Sequence, residues 1–206
     1  MALWSWLFGL FVFSGCATTS TTKWQQAADG IPSQHKLNAV PFYPQKAYQC
    51  GPASLAMVLS WSGLQISPDE LTPQVYTPSL KGSLQPAMIA ATRRRGKVAY
   101  PIRGAQALLR EIAAGHPVIV LQNLGLAWMP VWHYAVAVGY DLDKHEIYLR
   151  SGTEKRRTYA FGDFLKSWSR SNRWAMVVVA PGTLPPSSTE RDYLSAASAL
   201  ERQNNH

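Results

Sequence analysis

The sequence predicts an α+β fold, a helical group first and an antiparallel sheet after it. Three observations carry this reading. Helix-length segments closed by Gly63, Gly96 and Gly115 occupy the first half. Strand-length apolar runs occupy the second, among them PVIVLQN (117–123) and HYAVAVGYD (133–141). A chain of 206 residues that is 47 % apolar and only 16 % charged can bury one core, which excludes wholesale disorder.

The first helix is expected from Cys50 to about Ser62, with Pro52 in the first turn, where its missing N–H is not needed. Ser83 is placed to cap a second helix running through Arg95, whose three arginines suit the C-terminal end of the dipole. A third covers about Ala105–Ala114. Strands are then expected at 117–123, 133–141, 146–151, 156–161 and 174–180, with a short helix near 161–170. Beyond the breaker-rich PGTLPPSST (181–189), apolar Tyr193, Leu194, Ala197 and Leu200 recur at helical spacing. They mark one amphipathic helix with nothing obvious to pack on.

The N-terminus is apolar from Ala2 to Phe13 apart from Ser5 and Gly9, then turns small at Ser14, Gly15 and Cys16. That run is short for a membrane span and fits the core of a signal peptide. The small residues before Cys16 resemble a bacterial lipobox, in which the cysteine becomes the acylated N-terminus. An ordinary secretory signal with an incidental cysteine is the other reading. ATTSTT then reads as a polar tether, and Ala17 after the cysteine points to the outer membrane. Acylation of Cys16 leaves Cys50 as the one free thiol. Two cysteines are too few for a disulfide scaffold or a self-contained zinc site, and no phosphate loop, carboxylate pair or metal-ligand spacing occurs. No metal and no cofactor are therefore expected.

Cys50 sits where the chain enters its helix. Backbone N–H groups at a helix start can stabilise both a thiolate and an oxyanion. A buried structural cysteine is the alternative. On the later strand His133, Ala135, Ala137 and Gly139 point one way, and Tyr134, Val136, Val138 and Tyr140 the other. The small residues beside His133 suggest that the Cys50 helix packs on that face, bringing imidazole and thiol together as an activated nucleophile requires. Trp128 and Trp132 lie in the segment just before His133, either as core or as a loop contacting substrate. The net charge of +8, with runs at Arg93–Arg95 and Lys155–Arg157, reads as a solvated face or an attraction to anionic lipid or an acidic partner. Nucleic acid is not expected as a partner of an exported protein.

VPFYPQKAYQCGPASLAMVLSWSG (40–63), GHPVIVLQ (115–122) and HYAVAVGYD (133–141) together resemble the papain-like bacteriocin-processing peptidase family, whose members trim double-glycine leaders. The lipobox, this domain and RSGTEKRR together look like a lipoprotein branch of that family, usually followed by tetratricopeptide repeats. The resemblance implies a papain-like cysteine peptidase fold, N-terminal helices on an antiparallel sheet. It implies Cys50 as nucleophile, His133 as general base and Gln45 as side-chain oxyanion donor. Gln49, adjacent to Cys50, can hardly face the same carbonyl.

The family places Asp or Asn after the next strand to hold the imidazole, and Ser151 falls there. Asp141 is eight residues along the strand from His133, roughly 26 Å at about 3.3 Å per residue. Ser151, Thr153 or Glu154 must then orient the ring, or a backbone carbonyl takes over. A hydroxyl fixes the tautomer but stabilises an imidazolium less than a carboxylate does, so slow catalysis is expected.

The implied organisation is a signal peptide over 1–15, an acylated cysteine and tether over 16–39, a peptidase domain over 40–181, and a linker with an amphipathic helix over 182–206. The implied function is a membrane-tethered cysteine peptidase in the bacterial envelope, acting on a peptide or protein. An acyltransferase using the same dyad and a non-catalytic peptide-binding module in an envelope assembly are the alternatives. A protein partner for the C-terminal helix is a further expectation.

Overall fold

The computed structural model describes residues 28–204. Cys16 and the expected signal peptide lie outside the described residues. Nine strands are described: β1 (Gln34–Lys36), β2 (Tyr76–Thr77), β3 (Gly82–Ser83), β4 (Val98–Arg103), β5 (Val118–Asn123), β6 (Trp132–Asp141), β7 (Glu146–Ser151), β8 (Glu154–Ala160) and β9 (Trp174–Val179). Six α-helices accompany them: α1 (Cys50–Trp61), α2 (Pro68–Val75), α3 (Gln85–Arg93), α4 (Ala105–Ala113), α5 (Phe161–Ser169) and α6 (Glu190–Asn204).

The main sheet runs β4-β9-β5-β6-β7-β8, with β1 pairing the far end of β6, and every pairing is antiparallel. The second small sheet is the pair β2-β3. β8, at one edge, carries Glu154, Lys155, Arg156 and Arg157, a charged strand of the kind that discourages edge pairing.

Two apolar layers cover the two faces. On one face Leu55, Met57 and Leu59 of α1, Leu71 of α2 and Met88 of α3 meet Tyr134, Val136 and Val138. On the other, Leu108 and Ile112 of α4 and Phe164 and Trp168 of α5 meet Ala135, Ala137 and Val177. The packing of α1 therefore differs from the sequence expectation. It lies on the large-residue face of β6, and the small residues beside His133 receive α4 and α5 instead. The physical reason lies in volume. β6 is buried on both faces, so small side chains on one side leave room for the aromatic Phe164 and Trp168, while α1 supplies smaller partners to Tyr134.

The elements from α1 onward follow the expected order, with instructive differences. α2 was not anticipated, although Ser67 and Glu70 form a full capping box around its start: Ser67 Oγ accepts from the Glu70 N–H, and Glu70 Oε2 accepts from the Ser67 N–H at 2.8 Å. Pro73 inside the segment disguised it. Ser83 does not cap α3, which begins at Gln85 with no side-chain cap; Ser83 belongs to β3. β4 was likewise missed, because Pro101 interrupts its pattern; at a sheet edge the missing N–H is tolerated. The C-terminal helix does find a surface. Leu200 of α6 is 4 % exposed within the second apolar layer, and Tyr193 and Ala196 pack beside it. The preceding linker is tied down too, by the Ser187 N–H donating to buried Glu111 at 2.8 Å. No described helix is long and apolar enough to cross a membrane.

Candidate active site

The start of α1 and the start of β6 open on one cleft of about 1170 Å³, to which Cys50, His133 and Gln45 all contribute. Cys50 is the first helical residue, with Gln49 as N-cap, and the first intrahelical bond runs from the Ala53 N–H to the Gln49 carbonyl at 3.1 Å. The N–H groups of Cys50 and Gly51 precede that bond and are free of the helix ladder. Glycine is required at position 51, because a Cβ there would lie 2.2 Å from Ser83 Oγ and 2.5 Å from Ser83 Cβ. Its absence lets the β3 segment close over the helix start. Tyr48, two residues before Cys50, holds a left-handed φ of 62°. The Lys81 ammonium sits 5.8 Å from its ring centroid, so the loop carrying the thiol is braced across the cleft.

His133 lies at the mouth of β6, and its Nε2 is 2.9 Å from Ser151 Oγ. Ser151, at the end of β7, is 1 % exposed. Of the three candidates for holding the ring, Ser151 is the one in contact; Glu154 instead pairs with Arg157 at 3.5 Å. Asp141 sits at the far end of β6 beside Glu146 and Lys144. Among the described residues no carboxylate is hydrogen-bonded to the imidazole. Burial, with the Arg157 charge adding to it, pushes the His133 pKa down to about 4.

The thiol is shifted the other way. Burial raises the Cys50 pKa, against the smaller lowering effect of the Tyr134, Gly51 and Cys50 N–H groups. Both groups are therefore held neutral, and no hydrogen bond joins them. Burial thus favours the neutral thiol and the neutral imidazole over a thiolate–imidazolium pair.

Gln45 lines the cleft, and Gln49 does not. The amide of Gln45 is fully engaged. Its Nε2 donates to the Tyr134 carbonyl at 3.1 Å and to Ser54 Oγ at 3.3 Å. Its Oε1 accepts from the Gly152 N–H at 2.9 Å, while the Gln45 N–H donates to the Gly152 carbonyl at 2.9 Å. Gln45 thus clasps the residue after Ser151 and joins the cysteine loop to the turn that holds the histidine.

The two tryptophans separate. Trp132 lines the cleft, whereas Trp128 is 78 % exposed on the outer tip of the β5–β6 loop and does not. That loop is fixed by Asn123, whose Oδ1 accepts from the Gly125 and Val131 N–H groups, both at 2.9 Å. Sequence reasoning missed Leu80–Pro86 and Arg103, which form other walls of the cleft. They arrive by long-range packing and carry no local motif. Among the described residues no group of three or more His, Cys, Asp or Glu could hold a metal ion.

Comparison with known proteins bears on the family and the fold. The model of the Peptidase_C39 like family matches residues 37–176. A C39-like peptidase from Bacillus anthracis superposes with a TM-score of 0.60 at 18 % identity, covering 71 % of this chain and 97 % of that one. The peptidase domain of Streptococcus ComA, a bi-functional ABC transporter of a quorum-sensing pathway, gives 0.56 at 19 %, over 68 % and 98 %. A double glycine motif protease from an AMS/PCAT transporter, solved in complex with the leader peptide, gives 0.52 at 21 %, over 68 % and 91 %. At these identities the three likenesses show the fold. No curated protein matches the chain in sequence.

Proposed function

The chain belongs to the Peptidase_C39 like family, and on that premise we propose that it hydrolyses peptide bonds through Cys50 and His133. The observation that carries the reading is the convergence of a helix-start thiol and a hydroxyl-tethered imidazole on one cleft. With His133 Nε2–H donating to Ser151 Oγ, Nδ1 holds the lone pair and is the nitrogen left for the thiol. Cys50 Sγ attacks the carbonyl carbon as its proton passes to Nδ1, because neither group is charged beforehand. The oxyanion receives the Cys50 N–H. The imidazolium then protonates the departing amine, leaving a thioester that water, deprotonated by the same nitrogen, hydrolyses.

Gln45 joins the oxyanion donors only by releasing Ser54 or the Tyr134 carbonyl, so its first duty is to hold the site together. A peptide substrate fits the open cleft, and a protein of the same fold was solved with a leader peptide bound. The sequence reading of Cys16 as a lipid anchor places the enzyme on the bacterial envelope, facing the periplasm; loss of membrane association in Cys16→Ser tests that placement.

One observation favours a second reading, a peptide-binding module without turnover: thiol and imidazole are both held neutral and are not hydrogen-bonded to one another. Incubation of the protein, made from Thr18 onward, with a random peptide pool separates the two. Cleavage that disappears in Cys50→Ala, with a thioester adduct on Cys50 seen by mass spectrometry, supports hydrolysis. Retention of peptides without cleavage supports the binding module and defeats the peptidase reading.

A further inference from the structure

The walls of the cleft carry Lys46, Lys81, Arg103 and Arg170 and not one Asp or Glu. Lys46 is partly compensated by Asp69 at 3.7 Å, and Lys81 lies over Tyr48. Among the described residues the two arginines have no carboxylate partner. Arg103 Nη1 donates to the Asn172 carbonyl at 2.9 Å. Arg170 Nη1 donates to the Gly125 carbonyl at 2.7 Å and the Asn123 carbonyl at 3.2 Å. These bonds to neutral carbonyls fix the side chains without cancelling their charge. Each guanidinium keeps further N–H donors, which is the arrangement a carboxylate ligand needs.

Sheet register gives the distance to the chemistry. Arg103 pairs with Trp174, and Leu121 pairs with Tyr134, the residue after His133. Ile119 and Val120 pair with Met176 and Ala175, so continuing that register sets Trp174 beside Leu121. The T-shaped contact of Tyr134 and Trp174 at 6.0 Å agrees. Arg103 therefore stands three strands from Tyr134 on the α1 face, about 14 Å at about 4.8 Å per strand. An extended peptide rising about 3.3 Å per residue covers that span in about four residues.

We propose that Arg103 and Arg170 form an acidic-side-chain subsite of this cleft, selecting peptides with Asp or Glu about four residues from the bond at Cys50. The proposal rests on the cleft being a peptide site but not on the peptide being cleaved. Selection comes from two guanidiniums, each held by backbone carbonyls in the same cleft, rather than from the net charge of the chain, which would favour any acidic peptide equally.

The test uses the Cys50→Ala protein, immobilised, and an equimolar pool of random peptides, with the retained fraction sequenced. The expected result is several-fold enrichment of Asp and Glu confined to a short window of positions, weakening from about 0.05 to about 0.5 M salt as the Debye length shortens and the guanidinium charges are screened. Arg103→Gln with Arg170→Gln should abolish the enrichment, and Arg103→Lys with Arg170→Lys should keep most of it. Circular dichroism checks that each variant is folded. Enrichment that survives the double Gln change, or no acidic preference at all, overturns the proposal. If the wild-type protein cleaves nothing while the Cys50→Ala protein still selects acidic peptides, the hydrolytic reading falls and the subsite stands.

Discussion

His133 Nε2 meets the hydroxyl of Ser151 at 2.9 Å, where a carboxylate or carboxamide would give a stronger partner. In the proposed reaction the hydroxyl occupies Nε2 and leaves Nδ1 for the thiol, but it contributes no countercharge to an imidazolium. Ser151→Ala should then cost about tenfold in kcat, the loss of an orienting bond rather than of a charge. Ser151→Asp should act oppositely: the added carboxylate raises the His133 pKa and increases kcat about tenfold or more. Imidazole titration by NMR alongside steady-state kinetics checks both. A Ser151→Asp protein that folds, raises the pKa and gains no activity would show that ring orientation, not charge, limits the reaction.

Thiol reactivity should reflect burial. Cys50 is held above the ordinary thiol range, and its largest influence is desolvation, not His133. Iodoacetamide alkylation of the free protein is expected to rise only on the alkaline side, with little change in His133→Ala. Rapid alkylation well below pH 8 that depends on His133 would establish a standing ion pair and contradict this picture. The pH profile of kcat/KM follows from the same groups. Activity needs a neutral imidazole, so its acid limb should lie near the His133 value of about 4, not near the ordinary histidine range.

The same depressed value makes a statement about stability. His133 titrates at about 4 when folded, below its ordinary unfolded value. The contribution of the neutral ring is fully present above about pH 6.5 and is lost as pH falls through the folded value. The loss should be on the order of 2 kcal/mol, since the ring is only partly exposed. Urea unfolding from pH 7 to pH 4 should show a steeper decline for the wild type than for His133→Ala.

Local signals made much of the fold legible. Gly63 and Gly115, both at positive φ, ended helices where expected, and the alternation through HYAVAVGYD gave β6 nearly to the residue. Strands expected at 133–141 and 146–151 leave only a tight turn between them, closed by the His145 N–H donating to the Leu142 carbonyl, and that turn sets Ser151 back across from His133. What was illegible depended on partners distant in sequence. Which face of β6 receives α1 depends on the volumes of the residues that meet each face, among them Trp174 edge-on to Tyr134 and Phe164 and Trp168 over Ala135 and Ala137, and these partners lie far from β6 in sequence. The docking of α6 depends on buried Glu111 holding Ser187, a contact across 76 residues. The engagement of Gln45 was hidden in the same way, since its partners come from β6 and from the turn after β7.

Gln45 therefore offers the sharpest separation of structural from chemical roles. Its side chain spends one acceptor on Gly152 and two donors on Tyr134 and Ser54. Gln45→Ala removes all three bonds and should destabilise the fold by roughly 2 kcal/mol, by the usual cost of leaving part-buried groups unpaired. Gln45→Glu keeps the acceptor for the Gly152 N–H but presents a carboxylate to the Tyr134 carbonyl, and a charge where the oxyanion would form. If clasping Gly152 is the main duty, Gln45→Glu should retain most of the stability that Gln45→Ala loses, read as a higher urea midpoint. If Gln45 also turns to the oxyanion during reaction, both variants should lose about 100-fold in kcat, the usual cost of one such donor. Loss of kcat in both with stability lost only in Gln45→Ala would assign it both duties. Equal stability in wild type and Gln45→Ala would remove the clasp from the account.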